Sequence, residues 1–179
     1  MKEYPIKKGK HALAVGKLEK YNGFDLLIKS WINIKSDLII IGQGSQLKSL
    51  EKLIEGLKLQ KKILIRKSFI KKEIPVECLK AKVLIVSSRN DTDENSELIA
   101  LSLKTPVLGT DTHVMKKILP QELLAKKNNQ KSLQKLLETY IDKIDLINQE
   151  AIFEFIEEEF NVRKNDSHIM DIYNYQFNN

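Results

Sequence analysis

Two groups of residues in this chain are of a type and spacing that could do chemistry. The first is glycine at the ends of aliphatic runs, once with a cation beside it. Gly16-Lys17 follows Ala12 to Val15, Gly42-Gln43-Gly44 follows Leu38 to Ile41, and Gly23 and Gly109 read as further turn glycines. Glycine permits a tight turn and lets a phosphate approach the backbone N–H groups of a helix N-terminus. The competing reading is that turns from strand to helix need glycine whatever they bind. The second group is carboxylates: Asp91, Asp93, Glu94 and Glu97 lie within SSRNDTDENSELIALS. They read either as acids at the positive end of a helix dipole or as acceptors for sugar hydroxyls.

Several other chemistries are set aside on the same residues. Gly42-Gln43-Gly44 lacks the third glycine of a dinucleotide fingerprint, and no G-x-x-x-x-G-K-[ST] occurs. His11, His113 and His168 are isolated, so no metal site is expected. Cys78, the only cysteine, lies in the apolar segment Val76 to Leu79 and reads as a core residue rather than a nucleophile. A single cysteine gives no disulfide framework, which suggests a reducing, cytoplasmic setting. Lys+Arg minus Asp+Glu is 30 − 24 = +6, but only Arg66, Arg89 and Arg163 are arginine. The lysines come as scattered pairs such as Lys61-Lys62 and Lys116-Lys117, the pattern of solvated faces. No nucleic-acid partner is therefore expected, while a weak attraction to anionic lipid or phosphorylated small molecules is allowed.

The elements that must position these residues follow from periodicity. The 179 residues fit one domain, or one domain with an appendage. The longest aliphatic stretches are about four residues, far short of the roughly 20 that cross a membrane, and no secretory leader is expected. The short runs Ala12 to Val15, Leu38 to Ile41, Ile63 to Ile65, Val83 to Val86 and Pro106 to Leu108 are apolar at successive positions, as parallel strands covered on both faces are. Leu123-Leu124-Ala125 reads as a short sixth strand. Helical spacing appears between them: Phe24, Leu27 and Trp31; Leu47, Leu50, Ile54 and Leu57 with Ser45 as N-cap; Met115 and Ile118, stopped by Pro120; and Leu133, Leu136, Leu137, Ile141 and Ile144. The fold class is therefore α/β, one Rossmann-like doubly wound parallel sheet of about six strands with C-terminal helices. Residues 1–10 read as an N-terminal extension, 11–145 as the Rossmann-like domain and 146–179 as a C-terminal helical segment. Within the last, 151–160 and 167–175 read as helices. In such sheets ligands bind beyond the carboxyl ends of the strands, which is where both groups of residues fall.

These blocks, in this order, resemble the C-terminal domain of retaining glycosyltransferases of family 4, which have the GT-B fold. AVGKLEKYNGFDLLIKSW resembles VGRLxxxKGFDLLIxAW, DLIIIGQGSQLKSLEKL resembles LxIIGxGPxxxxLexl, ECLKAKVLIVSSR resembles LxxADVxVxPSR, and ALSLKTPVLGTD resembles EAxAxGxPVVATD. The resemblance implies the donor-binding half of a hexosyltransferase. That half would bind a nucleoside-diphosphate sugar, UDP- or GDP-linked, as co-substrate with no other cofactor. The sugar would pass to a polysaccharide or lipid-linked acceptor, with the protein cytoplasmic or peripheral at the inner face of the membrane. It further implies a partner, an N-terminal Rossmann-like acceptor domain that carries the catalytic residues and touches the membrane. The chain has no room for that domain, so alone it is expected to be inactive, with residues 146–179 packing toward the missing partner.

The resemblance also implies site residues. The turn glycines Gly16, Gly42 and Gly44 are kept. The family's diphosphate arginine is Lys17 here, and its second cation is Asn22, with Lys20 two residues earlier as a substitute. The paired glutamates fall on Asp91 and Ile99, and Asn95 matches an asparagine of the same motif. Ile99 cannot accept from ribose. Glu97 lies on the same helix, about 200° around from Ile99. Asp91-Thr92-Asp93 is read as a chance D-x-D without a metal role. The alternative to an enzyme half is a degenerate glycosyltransferase-like module, for binding or scaffolding, without activity.

Overall fold

The computed structural model of the protein describes residues 9–68, 71–91, 95–144 and 150–159. Each aliphatic run becomes a strand: β1 Ala12–Val15, β2 Leu38–Ile41, β3 Ile63–Arg66, β4 Val83–Val86, β5 Val107–Thr110 and β6 Leu124–Ala125. They form one parallel sheet in the order β3-β2-β1-β4-β5-β6, as expected of a doubly wound α/β domain. β1 is central. Ala12 sits opposite Leu38 on one side and Val83 on the other. All four β1 residues are buried, because helices cover both faces. β3 departs from the expected double cover. As an edge strand it pairs only with β2, and Leu64 stays 57% exposed.

The helices are α1 Phe24–Ser30, α2 Leu47–Gly56, α3 Ile74–Lys80, α4 Ser96–Ser102, α5 Met115–Ile118, α6 Gln130–Tyr140 and α7 Glu150–Glu159. Burying the apolar stripes of α1 and α6 against the sheet and each other closes one face of the core, with Phe24, Leu27, Leu133 and Leu137 inside. Trp31, just past α1, is fully buried and donates its indole N–H to the Ser36 carbonyl at 2.8 Å. α6 is capped by Asn129, whose side chain accepts from the Ser132 N–H. Cys78 is buried in α3, and burial pushes its thiol up to about 12, so it is an inert core residue.

Two local expectations are corrected. Ser45 does not cap α2. The helix starts at Leu47, and the Ser45 hydroxyl donates instead to Glu19 at 2.6 Å, a partner 26 residues away. Gly109 is not a turn residue. It lies inside β5, where a Cβ would collide with the Met115 side chain of α5. α7 packs against α4 and α5, with the partly buried Ile152 and Phe153 against the core. The helix read over 167–175 and the break before it lie outside the described residues. Among the described residues no helix is long and apolar enough to cross a membrane.

Candidate functional site

The strand order reverses between β1 and β4, so the chain leaves the carboxyl ends of these two strands in opposite directions and opens a crevice. A small cleft lies there, lined by Val15, Asn22, Ser87, Ser88, Ser96 and Glu97 among others. Its polar lining is unusual for an interior: Asn22, Ser87, Ser88, Ser96 and Glu97 are each at least nine-tenths buried. Such groups are retained only where hydrogen bonds satisfy them.

Those bonds tie the two sides of the crevice together. The Asn22 amide donates to the Lys17 carbonyl at 2.8 Å, and its side-chain oxygen accepts from the Ser88 hydroxyl at 3.1 Å. The Ser87 hydroxyl donates to the Asn22 carbonyl at 2.8 Å, and Thr110 on β5 donates to the Ser88 carbonyl at 2.6 Å. Gly23 makes the close approach possible. Its φ is +67°, and a Cβ there would overlap the Ser87 carbonyl oxygen. Arg89 adds an ion pair to Asp25 at 2.9 Å.

Lys17 and Lys20 are exposed on the β1 loop that carries Asn22. Behind that loop stand Gly42 and Gly44. The Leu18 N–H donates to the Gln43 carbonyl at 2.8 Å, and the Gln46 N–H to the Leu18 carbonyl at 2.8 Å. A Cβ on Gly42 would overlap the Gly16 carbonyl, and one on Gly44 would lie 2.5 Å from the Leu18 carbonyl. These two glycines therefore serve a loop-on-loop contact that backs the β1 turn at Gly16. The Glu19 carboxylate accepts from the Ser45 hydroxyl and from the Ser45 N–H at 2.7 Å, and these two bonds hold its pKa below the ordinary carboxylate value.

On the β4 side, Asn95 takes a left-handed conformation, φ +50°, immediately before α4 and is exposed. Glu97, the second residue of α4, is 6% exposed and lines the cleft. Ile99 is half-buried and packs against the hydrophobic core. Asp91 is turned toward the β5–α5 turn. It accepts from the Val114 N–H at 2.8 Å, which with the Thr112 hydroxyl and the nearby His113 and Lys127 lowers its pKa. Of the residues singled out in the sequence, Asn22 and Glu97 thus share the cleft, and Gly16, Lys17 and Lys20 share the loop on its β1 side. Gly42 and Gly44 support that loop, while Asp91 and Ile99 face other neighbours.

Sequence reasoning missed Ser87, Ser88, Ser96 and Glu19. The serines follow a strand and precede a helix, which is a readable position, but nothing in their spacing marks them as facing Asn22 some 65 residues away. Among the described residues no group of three or more His, Cys, Asp or Glu side chains is arranged to hold a metal.

Comparison with known proteins gives a family and a fold. The family model described as "Glycosyl transferases group 1" matches residues 1–149. No curated protein matches the sequence. The fold is similar to sucrose-phosphate synthase from Thermosynechococcus elongatus, with a TM-score of 0.77 and 16% identity over 97% of this chain and 46% of that one. It is similar to TarM from S. aureus, solved with UDP among its ligands, with a TM-score of 0.73 and 16% identity over 99% of this chain and 38% of that one. It is also similar to the C-terminal domain of the group 1 glycosyl transferase LpcC from Francisella tularensis, with a TM-score of 0.67 and 16% identity over 95% of this chain and 87% of that one. The chain thus spans under half the length of the synthase and of TarM.

Proposed function

Since the chain belongs to the glycosyl transferases group 1 family, we propose that it is the donor half of a GT-B sugar transferase. It would bind a nucleoside-diphosphate sugar at the β1–β4 crevice. The observation that carries this reading is the cleft itself. Buried Asn22, Ser87, Ser88 and Glu97 line it at the switch point, and the exposed Lys17 and Lys20 lie on the loop at its side. Departure of a nucleoside diphosphate develops negative charge, which cations and preorganised backbone N–H groups stabilise. Lys17 and Lys20 supply the cations on the β1 side, where the Gly16 and Leu18 N–H groups already donate to the Ile41 and Gln43 carbonyls. Glu97 is the buried carboxylate suited to accept from a sugar hydroxyl.

In this reading the reaction is retaining, as in family 4, with the sugar passing to a polysaccharide or lipid-linked acceptor. A second Rossmann-like domain would hold that acceptor and the catalytic groups. Coverage of 46% of a whole synthase but 87% of a separately solved C-terminal domain supports a partner of that kind. TarM was solved with UDP and another neighbour, HepE from Anabaena, with UDP and glucose, which makes UDP the first donor nucleotide to test.

A second reading, a degenerate module, is favoured by one observation. Asn22 and Ile99, where the resemblance implies a cation and a glutamate, are engaged inside the protein. A thermal-shift panel of UDP, GDP and ADP with their sugars separates the two readings. A ligand at 100 times its Kd stabilises by about 2.7 kcal/mol, or roughly 5–11 °C for a domain of this size. No shift with any of them favours the degenerate module.

A further inference from the structure

One side chain spans the two loops that flank the crevice. Arg89, after β4, donates its backbone N–H to the Tyr21 carbonyl at 2.7 Å. Its guanidinium donates through Nη1 to the Lys20 carbonyl and through Nη2 to the Asp25 carboxylate at 2.9 Å. The side chain is only 17% exposed. All three acceptors lie within Lys20 to Asp25, the stretch that joins the β1 loop to α1. A guanidinium presents several donors in a rigid plane, so two acceptors bound to it are fixed with respect to each other as well as to Arg89. The carbonyl it holds belongs to Lys20 itself, and Lys17 is tied to the same stretch through Asn22.

We propose that Arg89 is a positioning residue for the donor site. It locks the loop bearing Lys17 and Lys20 against the β4 side before any ligand arrives, so that a nucleoside diphosphate meets cations already in place. This rests on the donor-site reading above. Preorganisation of this kind raises affinity by removing an ordering cost that would otherwise fall at binding. Lysine at this position would keep the charge next to Asp25 but could not hold the Lys20 carbonyl with the same fork.

The test compares wild type, Arg89→Lys and Arg89→Ala in two measurements. Amide hydrogen exchange without ligand should be faster at residues 17–23 in Arg89→Lys and unchanged across β1 and β4. Calorimetric titration with UDP should show about tenfold weaker binding in Arg89→Lys, equivalent to about 1.4 kcal/mol, with a melting temperature close to wild type. Arg89→Ala should lose both affinity and thermal stability, so it cannot by itself separate positioning from folding. Unchanged exchange at 17–23 in Arg89→Lys overturns the proposal. So does faster exchange with unchanged UDP affinity, which would make the tie purely structural. A wild-type chain that binds none of UDP, GDP and ADP overturns the donor-site reading and the positioning role together, whereas wild-type binding with an unaffected variant overturns the positioning role alone.

Discussion

Replacing Gly23 by alanine should damage the crevice more than its size suggests. Gly23 ends the turn at Lys20–Asn22 and starts α1 with φ +67°, and any other L-residue loses about 1–2 kcal/mol in that conformation. The added Cβ would overlap the Ser87 carbonyl oxygen and sit 3.2 Å from its carbon, so the β4 loop must retreat. That retreat strains the bonds from Ser87 to the Asn22 carbonyl and from Ser88 to the Asn22 side chain. At about 1 kcal/mol for a net hydrogen bond, weakening both brings the loss to about 3 kcal/mol. In a domain of this size that is a fall of roughly 6–12 °C in melting temperature. The internal control is Gly56→Ala at the end of α2. Nothing lies within 4 Å of the added Cβ there, and a stabilisation of about 0.5–1 kcal/mol is expected. Urea unfolding of both variants decides the matter. If Gly23→Ala loses less than about 1 kcal/mol with an unchanged m-value, the β1 and β4 loops are not in the contact described.

Lys17→Ala should abolish most nucleotide affinity while stability stays within about 0.5 kcal/mol, because the side chain is exposed; unaltered affinity removes Lys17 from the site. Ile99→Glu should destabilise by a few kcal/mol with no gain in UDP affinity, since a carboxylate there would enter a half-buried apolar contact; tighter UDP binding in a melt with and without ligand would instead place Ile99 beside the ribose. Stability should also fall on acidification in two windows. Burial keeps the His11 pKa below its ordinary 6.5, so the folded state binds fewer protons and stability declines as pH drops below 6.5. Burial raises the Glu77 pKa, but bonds from Arg66 and Lys80 outweigh it and hold the pKa below 4.5, so that contribution is lost below pH 4.5. Urea midpoints at pH 7.5 and 5.5 in wild type and His11→Gln check the first window; equal midpoints in wild type contradict it.

The sheet was legible because each strand is a short aliphatic run, and α1, α2, α5 and α6 because each carries an apolar stripe, patterns fixed by local periodicity, whereas α3 was not read from the sequence. Gly109 was misread because a glycine that ends a run looks the same whether it turns the chain or makes room for Met115. The Ser45 misreading has a similar cause: the local N-cap pattern was present, but a carboxylate from another loop took the hydroxyl. The site was harder to read than the fold. Lys17 and Glu97 stand out by type, yet the contacts that build the crevice join Asn22 to Ser88 and Arg89 to Lys20, pairs that only the β1–β4 adjacency brings together. No spacing rule along the chain encodes such a pairing.

The central claim, that a nucleoside diphosphate binds at the β1–β4 crevice, is tested most directly by titrating the ¹⁵N-labelled chain with UDP and following its amide resonances. The account predicts saturable shifts at Gly16 to Gly23, Ser87 to Arg89 and Asn95 to Glu97, with little change at the opposite edge near His11 and Asp37. Saturable shifts clustered at that opposite edge, or none anywhere with UDP, GDP or ADP, would contradict it.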